Sequence, residues 1–243
     1  MPSRSLQRVC RWLLAIALFV AGVWAQRSGM IEEFIFYLPD VRYLAVQHLF
    51  LTAVSGGLAI LVAVPLGIVL SRPSVERYAE SLMQVLNVGT TIPTLAVLAL
   101  SMSFLGIGTV PAVFGLFVAT LLPIARNTYV GLKGVSPALM EAAAGLGMSP
   151  IQRLFRVELP NALYVIFAGV RTALAINVGT VPLAFLIGAG GLGELIFTGI
   201  ALYDTTMMLA GAIPTALLAI AVDIVIAISA FLVVPRGVNP SRV

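Results

Sequence analysis

Long apolar runs, separated by short polar breaks, make up most of this chain. The runs lie at about residues 12–24, 44–70, 82–105, 110–124, 162–187 and 207–234. A helix that crosses a bilayer needs roughly 20 mainly apolar residues, so the pattern predicts about six membrane-spanning helices. The regular alternation of a series of membrane strands is absent from the sequence. The predicted fold class is therefore an all-α, polytopic membrane protein embedded in a lipid bilayer.

The composition agrees with this fold class. Hydrophobic residues make up 60% of the 243 residues and charged residues only 10%, and the mean hydropathy is +1.07. A soluble domain of this composition would lack the polar surface needed to cover its core. We expect an N-terminal run with an external connection over 1–43, one membrane domain over 44–234 and a cytoplasmic tail over 235–243. The single cysteine and single histidine do not form a metal-binding pattern.

The positive residues lie at the ends of the apolar runs, so the net charge of +4 does not indicate a nucleic-acid partner. Cytoplasmic loops of membrane proteins carry an excess of Lys and Arg. One orientation places both termini and the segment around 127–160 inside the cell. It leaves only Arg27 and Arg42 outside and Arg171 within a span. The inside set of 11 is Arg4, Arg8, Arg11, Arg72, Arg77, Arg126, Lys133, Arg153, Arg156, Arg236 and Arg242.

The N-terminal run permits two interpretations. Three arginines precede an apolar stretch from Trp12 to Trp24, and Val23-Trp24-Ala25 resembles a signal-peptide cleavage site. An uncleaved first span is favoured, because a multispanning protein needs no cleavage and Trp24 suits a membrane interface. A removable signal peptide remains the alternative.

The segment Glu141–Pro160 differs from its surroundings because it is short, charged and interrupted by glycine. Ser136-Pro137 and Ser149-Pro150 both have the pattern of a helix start, and Gln152 adds a capping box to the second. The pattern predicts two short helices, 137–146 and 150–157, separated at Gly147 and closed by Pro160. Such a unit suits insertion into a groove of a partner. An amphipathic linker resting on lipid headgroups is the alternative.

This segment resembles the EAA motif of binding-protein-dependent ABC importer permeases, with valine where isoleucine is usual. The matching residues are Glu141, Ala142, Ala143, Gly147, Val157, Leu159 and Pro160. The resemblance implies a type I importer permease-like fold in a bacterial cytoplasmic membrane, with these residues on a coupling helix for an ATPase. It also implies two ATP-binding subunits, a second permease copy or paralogue, and an extracytoplasmic substrate-binding protein.

The chain has no phosphate-binding loop pattern of its own, since its only lysine lies in Gly131-Leu132-Lys133-Gly134. We therefore expect no enzyme activity and no cofactor on this chain, with ATP and Mg bound by the partner ATPase.

Further segments over about residues 48–232 resemble the osmoprotectant subfamily, whose permeases serve glycine betaine, choline and carnitine. They include Thr91-Ile92-Pro93, the stretch 122–129, Gly169-Val170-Arg171-Thr172 and the stretch 187–193. A related permease for amino acids such as methionine is one alternative. A stand-alone secondary carrier is another, but it predicts internal repeats and more intramembrane carboxylates than the sequence contains.

Two sets of residues inside the spans are candidates for function. The first is Arg171 with Asp223, each about a dozen residues from the cytoplasmic end of its span, for which a structural ion pair is favoured over substrate contact. The second comprises helix breaks along a possible translocation path, where packing is an equal alternative. These path candidates are Thr90, Thr91, Pro93, Asn177, Thr180 and Pro182. The glycine-rich stretch 188–206 could form an external gate, a docking site or an ordinary loop.

Overall fold

The computed structural model describes Trp12, Phe19, Gly22, Val23 and residues 26–238, without the side chains of Glu76, Leu86 and Thr90. Within this part of the chain the regular structure is helical, as the apolar runs predict. Among the described residues, four helices are long and apolar enough to cross a membrane, and a bent pair of helices makes a fifth candidate span. The predicted first span, 12–24, lies largely outside the described residues.

Ten α-helices follow one another along the described chain. They are α1 (Met30–Phe36), α2 (Leu38–Leu70), α3 (Glu76–Thr91), α4 (Thr94–Leu105), α5 (Thr109–Lys133), α6 (Pro137–Gly145), α7 (Pro150–Arg153), α8 (Leu159–Thr180), α9 (Gly193–Leu202) and α10 (Thr205–Val233). A π-helical turn, Leu154–Glu158, joins α7 to α8, and a 3-10 segment, Val181–Ile187, extends α8. The 10-residue α9 spans only about 15 Å, too short to cross a bilayer.

The third predicted span is bent rather than straight. Its halves, α3 and α4, meet at an angle of 94°. Ile92 adopts an extended conformation and Pro93 follows it before α4 begins. Proline disfavours helical backbone at the preceding residue, which explains why the helix breaks at this point.

The fourth predicted span continues past its expected end at Arg126. Helix α5 runs on to Lys133 and stops before Gly134. Arg126 marks only the end of the apolar face, because one charged residue does not interrupt the backbone hydrogen bonds of a helix. The loop expected over about 127–160 therefore begins seven residues later, after Lys133.

The fifth span also differs from the prediction, because Pro160 does not close the short helix that precedes it. Helix α7, the π turn and α8 follow without a break, and together with the 3-10 segment they form one helical stretch, Pro150–Ile187. Proline clashes with the carbonyl four residues earlier in a regular helix. The wider π turn, Leu154–Glu158, includes the carbonyl group four residues before Pro160 and relieves this clash. The side chain of Asn161 donates to the Val157 carbonyl oxygen at 2.7 Å.

Small residues bring α2, α5 and α8 together in the core of the bundle. A Cβ atom added to Gly67 of α2 would lie 2.8 Å from the carbonyl oxygen of Ala125 in α5. Gly169 of α8 packs equally closely on Asn127 of α5. By contrast, a Cβ atom added to Gly57 of α2 would meet no atom within 4 Å. The centre of the bundle therefore depends on particular glycines, not on all of them.

Polar contacts tie the start of α10 to the first two helices. Asp204 caps α10 by accepting from the Met207 backbone N–H at 2.8 Å, and it also accepts from the Tyr37 hydroxyl at 2.8 Å. Thr206 donates to Glu33 of α1 at 2.7 Å. The hydrogen bond from Met207, followed by that from Tyr37, holds the pKa of Asp204 below its usual range. The bond to Asp204 in turn raises the pKa of Tyr37.

Candidate docking segment and polar clusters of the bundle

The EAA segment, Glu141–Pro160, contains a sharp turn that only glycine adopts easily. Helix α6 ends at Gly145, and Gly147 follows with a φ of 74°. The Gly147 N–H donates to Ala144 at 2.9 Å and the Met148 N–H donates to Ala143 at 3.1 Å. This pair of bonds is the Schellman arrangement that terminates helices. A side chain would meet no atom within 4 Å there, so the backbone conformation, not crowding, calls for glycine.

The second short helix begins with the predicted capping box. The Ser149 hydroxyl accepts from the Gln152 N–H at 3.3 Å, and the Gln152 side chain accepts from the Ser149 N–H at 2.9 Å. Ser136 occupies the corresponding position before α6, but its side chain makes no capping hydrogen bond. Both helices therefore start where the serine–proline pairs predict.

The EAA segment exposes an apolar surface at one end of the bundle. Leu146 is 77% exposed, Ile151 71% and Phe155 63%. Glu141 and Ala142 of α6 are exposed as well, whereas Ala143 is buried. Several large apolar side chains exposed on one short segment are typical of a site that binds another protein.

The far end of the EAA segment is fixed into the bundle. Val157, Leu159 and Pro160 are half-buried, and Leu159 packs against a core cluster of Leu132, Ala162 and Ile166. The motif residues thus divide into two groups. Glu141, Ala142 and Gly147 lie on the exposed part of the segment, while the last three motif residues root it in α8.

An ion pair that the sequence analysis did not identify joins this root to α2. Glu158, in the π turn, is buried and accepts from a guanidinium nitrogen of Arg72. Arg72 follows the end of α2 and also donates to the Ile68 carbonyl oxygen at 3.1 Å and the Ser71 hydroxyl at 2.8 Å. The topology count included Arg72 only as a positive residue. An acidic residue between the apolar Val157 and Leu159 was the sequence signal that could have indicated a partner.

The path candidates in the third span lie at the bend between α3 and α4. Thr91 and Pro93 are exposed, and the Thr91 hydroxyl donates to the Val88 carbonyl oxygen at 2.7 Å. The backbone of Thr90 belongs to α3, while its side chain lies outside the described part. The bend therefore presents polar groups at the surface of this chain.

The path candidates in the fifth span lie inside the packed bundle. Asn177 is 1% exposed and donates to Ser55 of α2 at 3.0 Å and to Thr120 of α5 at 2.6 Å. Pro182 is buried as well, and the half-buried Thr180 donates to the Asn177 carbonyl oxygen at 3.0 Å. In this conformation Asn177 joins three spans rather than facing an open cavity.

His48 makes a second interior tie close to this network. It is fully buried, and its Nε2 lies 3.0 Å from the carbonyl oxygen of Val178. The bond satisfies a carbonyl group near the end of α8, where the helix changes to 3-10 geometry. Nearby, Gln47 accepts from the Gly191 N–H at 3.1 Å, which attaches the glycine-rich stretch to α2.

Arg171 of α8 and Asp223 of α10 lie in direct contact. The guanidinium group binds both carboxylate oxygens, with an Nη–Oδ2 distance of 2.6 Å. The side chains are nevertheless 51% and 31% exposed in the single chain. They line a cavity of about 710 Å³ between the two helices, together with Tyr164, Phe167, Thr172 and Phe231.

Known permeases resemble this chain over most of its length. The osmoprotectant import permease protein OsmY of Salmonella typhimurium is 51% identical over 215 residues, covering 88% of this chain and 89% of that protein. The choline transport system permease protein OpuBB of Bacillus subtilis is 41% identical over 200 residues, covering 82% of this chain and 91% of that protein.

A solved transporter and a family model agree with the helix arrangement. An inward-facing structure of the MetNI methionine ABC transporter superimposes with a TM-score of 0.73 at 23% identity, covering 82% of this chain and 98% of that one. This likeness concerns the fold alone. The family model described as binding-protein-dependent transport system inner membrane component matches residues 63–236. The chain therefore belongs to the family of inner membrane components of binding-protein-dependent transport systems.

Proposed function

We propose that this chain is the permease subunit of an ATP-driven ABC importer for quaternary ammonium osmoprotectants such as glycine betaine, choline and carnitine. The observation that carries the proposal is the EAA segment, which combines an exposed apolar surface with a root fixed in the membrane helices. Relatives named as osmoprotectant or choline permeases support the substrate class. The protein lies in a bacterial inner membrane with both termini and the EAA segment in the cytoplasm.

The exposed part of the EAA segment binds an ATPase subunit, and ATP with Mg is bound there. Leu146, Ile151 and Phe155 enter a groove of that subunit, where burying apolar area provides the binding energy. Two ATPase subunits bind two permease chains, which are identical or paralogous, and a binding protein delivers substrate from outside. Closure of the ATPase pair pushes on the EAA segment and biases the membrane helices between two arrangements.

The buried end of the EAA segment can transmit this displacement to the membrane helices. The Arg72–Glu158 pair joins the π turn to the end of α2, and Leu159 joins it to the core beside α5 and α8. A displacement of the exposed helices is then passed to three spans at once. A flexible linker resting on headgroups would not need a buried ion pair at its root.

The test is reconstitution of the chain with its candidate ATPase and binding protein in liposomes. ATP-dependent uptake of labelled glycine betaine, choline or carnitine is expected, with methionine as the competing amino-acid substrate. Gly147→Asp should abolish uptake, because it puts an acidic side chain in a left-handed turn on the docking surface. Gly145→Ala, two residues earlier with open space around it, is the matched control and should retain uptake. Uptake without any ATPase subunit would refute the proposal and indicate a secondary carrier.

A further inference from the structure

The Arg171–Asp223 pair faces the cavity between α8 and α10 instead of being enclosed between the helices. Arg171 lies about 18 Å along α8 from Leu159, and Asp223 lies about 15 Å along α10 from Val233, at 1.5 Å per residue. Both charges are therefore near the middle of their spans. Charged side chains at this depth do not face acyl chains; they face water or protein. The cavity wall that carries them is thus turned towards the interior of the assembled transporter.

The pair retains unused binding capacity on its open side. The contact with Asp223 uses Nε and one Nη of Arg171, which leaves the N–H groups of the other Nη for a second acceptor. Here about half of the Arg171 side chain is exposed, so the guanidinium group is accessible to a further carboxylate.

Aromatic side chains lie beside the pair on the same wall. Phe167 and Tyr164 precede Arg171 by four and seven residues, which places them on one face of α8. Phe231 lines the cavity from α10. The step from Arg171 to Phe167 is about 6 Å along the helix axis. Aromatic faces attract quaternary ammonium groups, while guanidinium binds carboxylate.

We propose that the wall formed by Arg171, Asp223, Phe167 and Tyr164 is a binding station on the translocation path for zwitterions that carry both a carboxylate and a quaternary ammonium group. Arg171 binds the substrate carboxylate, and the aromatic faces together with Asp223 hold the ammonium group. This inference rests on the proposed function. It assigns a second role to a pair whose tie between α8 and α10 remains.

The first test compares two substrates in the complete reconstituted transporter, glycine betaine with its carboxylate and choline without one. Arg171→Gln should lower the ratio of glycine betaine uptake to choline uptake about tenfold, because only glycine betaine loses a charge-assisted hydrogen bond to its carboxylate. An equal loss for both substrates, or no loss for either, would overturn the station. The double exchange Arg171→Asp with Asp223→Arg keeps an ion pair between α8 and α10 and therefore controls for its structural role. Restored uptake of both substrates in this variant would also overturn the proposed station.

A second test measures access to the cavity directly and does not require the transporter to import both glycine betaine and choline. In a Cys10→Ser background, Thr172→Cys on the cavity wall should react with a membrane-impermeant thiol reagent, and glycine betaine should slow that reaction. Ala221→Cys, exposed on α10 outside the cavity lining, is the matched control and should stay unreactive. Labelling that glycine betaine does not slow would refute the station. If the wild-type transporter carries no quaternary ammonium compound at all, the proposed function fails as well, which separates the two failures.

Discussion

Removing the charge of Glu158 should loosen the root of the EAA segment without changing its shape. Glu158→Gln keeps the size of the side chain but replaces an ion pair with a neutral contact to Arg72. The Glu158 side chain is 7% exposed and that of Arg72 is 28% exposed. The pair therefore lies between the limiting cases of a buried and a surface salt bridge.

The two limits fix the expected size of the effect. Removing one partner of a fully buried pair costs about 3–5 kcal/mol, and an exposed pair contributes roughly 0–1 kcal/mol. Arg72 keeps its bonds to Ile68 and Ser71 when Glu158 is changed, so its charge is not left wholly without partners. We expect a loss of about 2 kcal/mol, which corresponds to a fall of roughly 4–8 °C in the thermal midpoint for a chain of this size.

The assay is a double-mutant cycle in detergent-solubilised protein, with Arg72→Gln, Glu158→Gln and the double variant. If the two side chains act as a pair, the double variant should lose about 2 kcal/mol less than the sum of the single losses. Arg77→Gln, an exposed arginine on α3, is the control and should change stability by less than about 0.5 kcal/mol. Additive single losses, within about 0.5 kcal/mol, would refute the reasoning. In the reconstituted transporter, Glu158→Gln should also lower uptake per ATP hydrolysed.

Three further changes test other parts of the structure by thermal unfolding. Gly67→Ala should lower the free energy of unfolding by about 1–3 kcal/mol, because the new methyl group meets α5. Gly57→Ala in the same helix should raise the free energy of unfolding by roughly 0.5–1 kcal/mol. Equal effects of the two variants would contradict the close packing at Gly67. Gly147→Ala should lower the free energy of unfolding by about 1–2 kcal/mol, because alanine is strained at the left-handed φ of this position. Gly145→Ala should leave the free energy of unfolding unchanged. An equal loss in both variants would show that the left-handed φ is not the cause. Asp204→Ala should cost about 1 kcal/mol. In the wild-type protein, the Asp204 carboxylate stabilises the folded state fully above the pKa of about 3.9 that aspartate has in the unfolded chain. This stabilisation is lost as the pH falls through the lower pKa of Asp204 in the folded state. The Asp204→Ala difference should therefore be constant around neutral pH and shrink only in acid; a difference that persists in strong acid would exclude the carboxylate as its source.

The sequence predicts elements whose signals are local. Ser149, Gln152 and Gly147 carry their capping and turn geometry within a few residues, and the structure has both features where the pattern places them. The run lengths likewise predict the four described spans, and the third run corresponds to the pair of helices that is bent. Helix ends are less well predicted. A charge such as Arg126 marks a change of surroundings, while the backbone ladder of α5 continues regardless.

Features that depend on contacts between distant segments could not be predicted in this way. Arg72 and Glu158 are 86 residues apart, and nothing in either local sequence specifies the other. Asn177 is a second residue whose surroundings could not be predicted from the local sequence. Beside a glycine and a proline it has the pattern of a helix break, but Ser55 and Thr120 enclose it once α2, α5 and α8 pack together. Whether a polar residue in a span faces a cavity or a neighbour is decided by that packing.

The polar contacts between the spans differ in how deeply they are buried, and therefore in what it costs to break them. Asn177 and His48 join α8 to α2 through fully buried hydrogen bonds, and breaking such bonds leaves unsatisfied groups at a cost of about 1–3 kcal/mol each. The contact between α8 and α10 at the Arg171–Asp223 pair is partly exposed instead, so water can replace one partner at lower cost. From these costs we expect a displacement of the EAA segment to move α2, α5 and α8 together. Opening the bundle beside α10 would separate Val222 and Ile226 from the core cluster around Val170 and Leu174, but among the described residues the polar contact it breaks is the partly exposed Arg171–Asp223 pair.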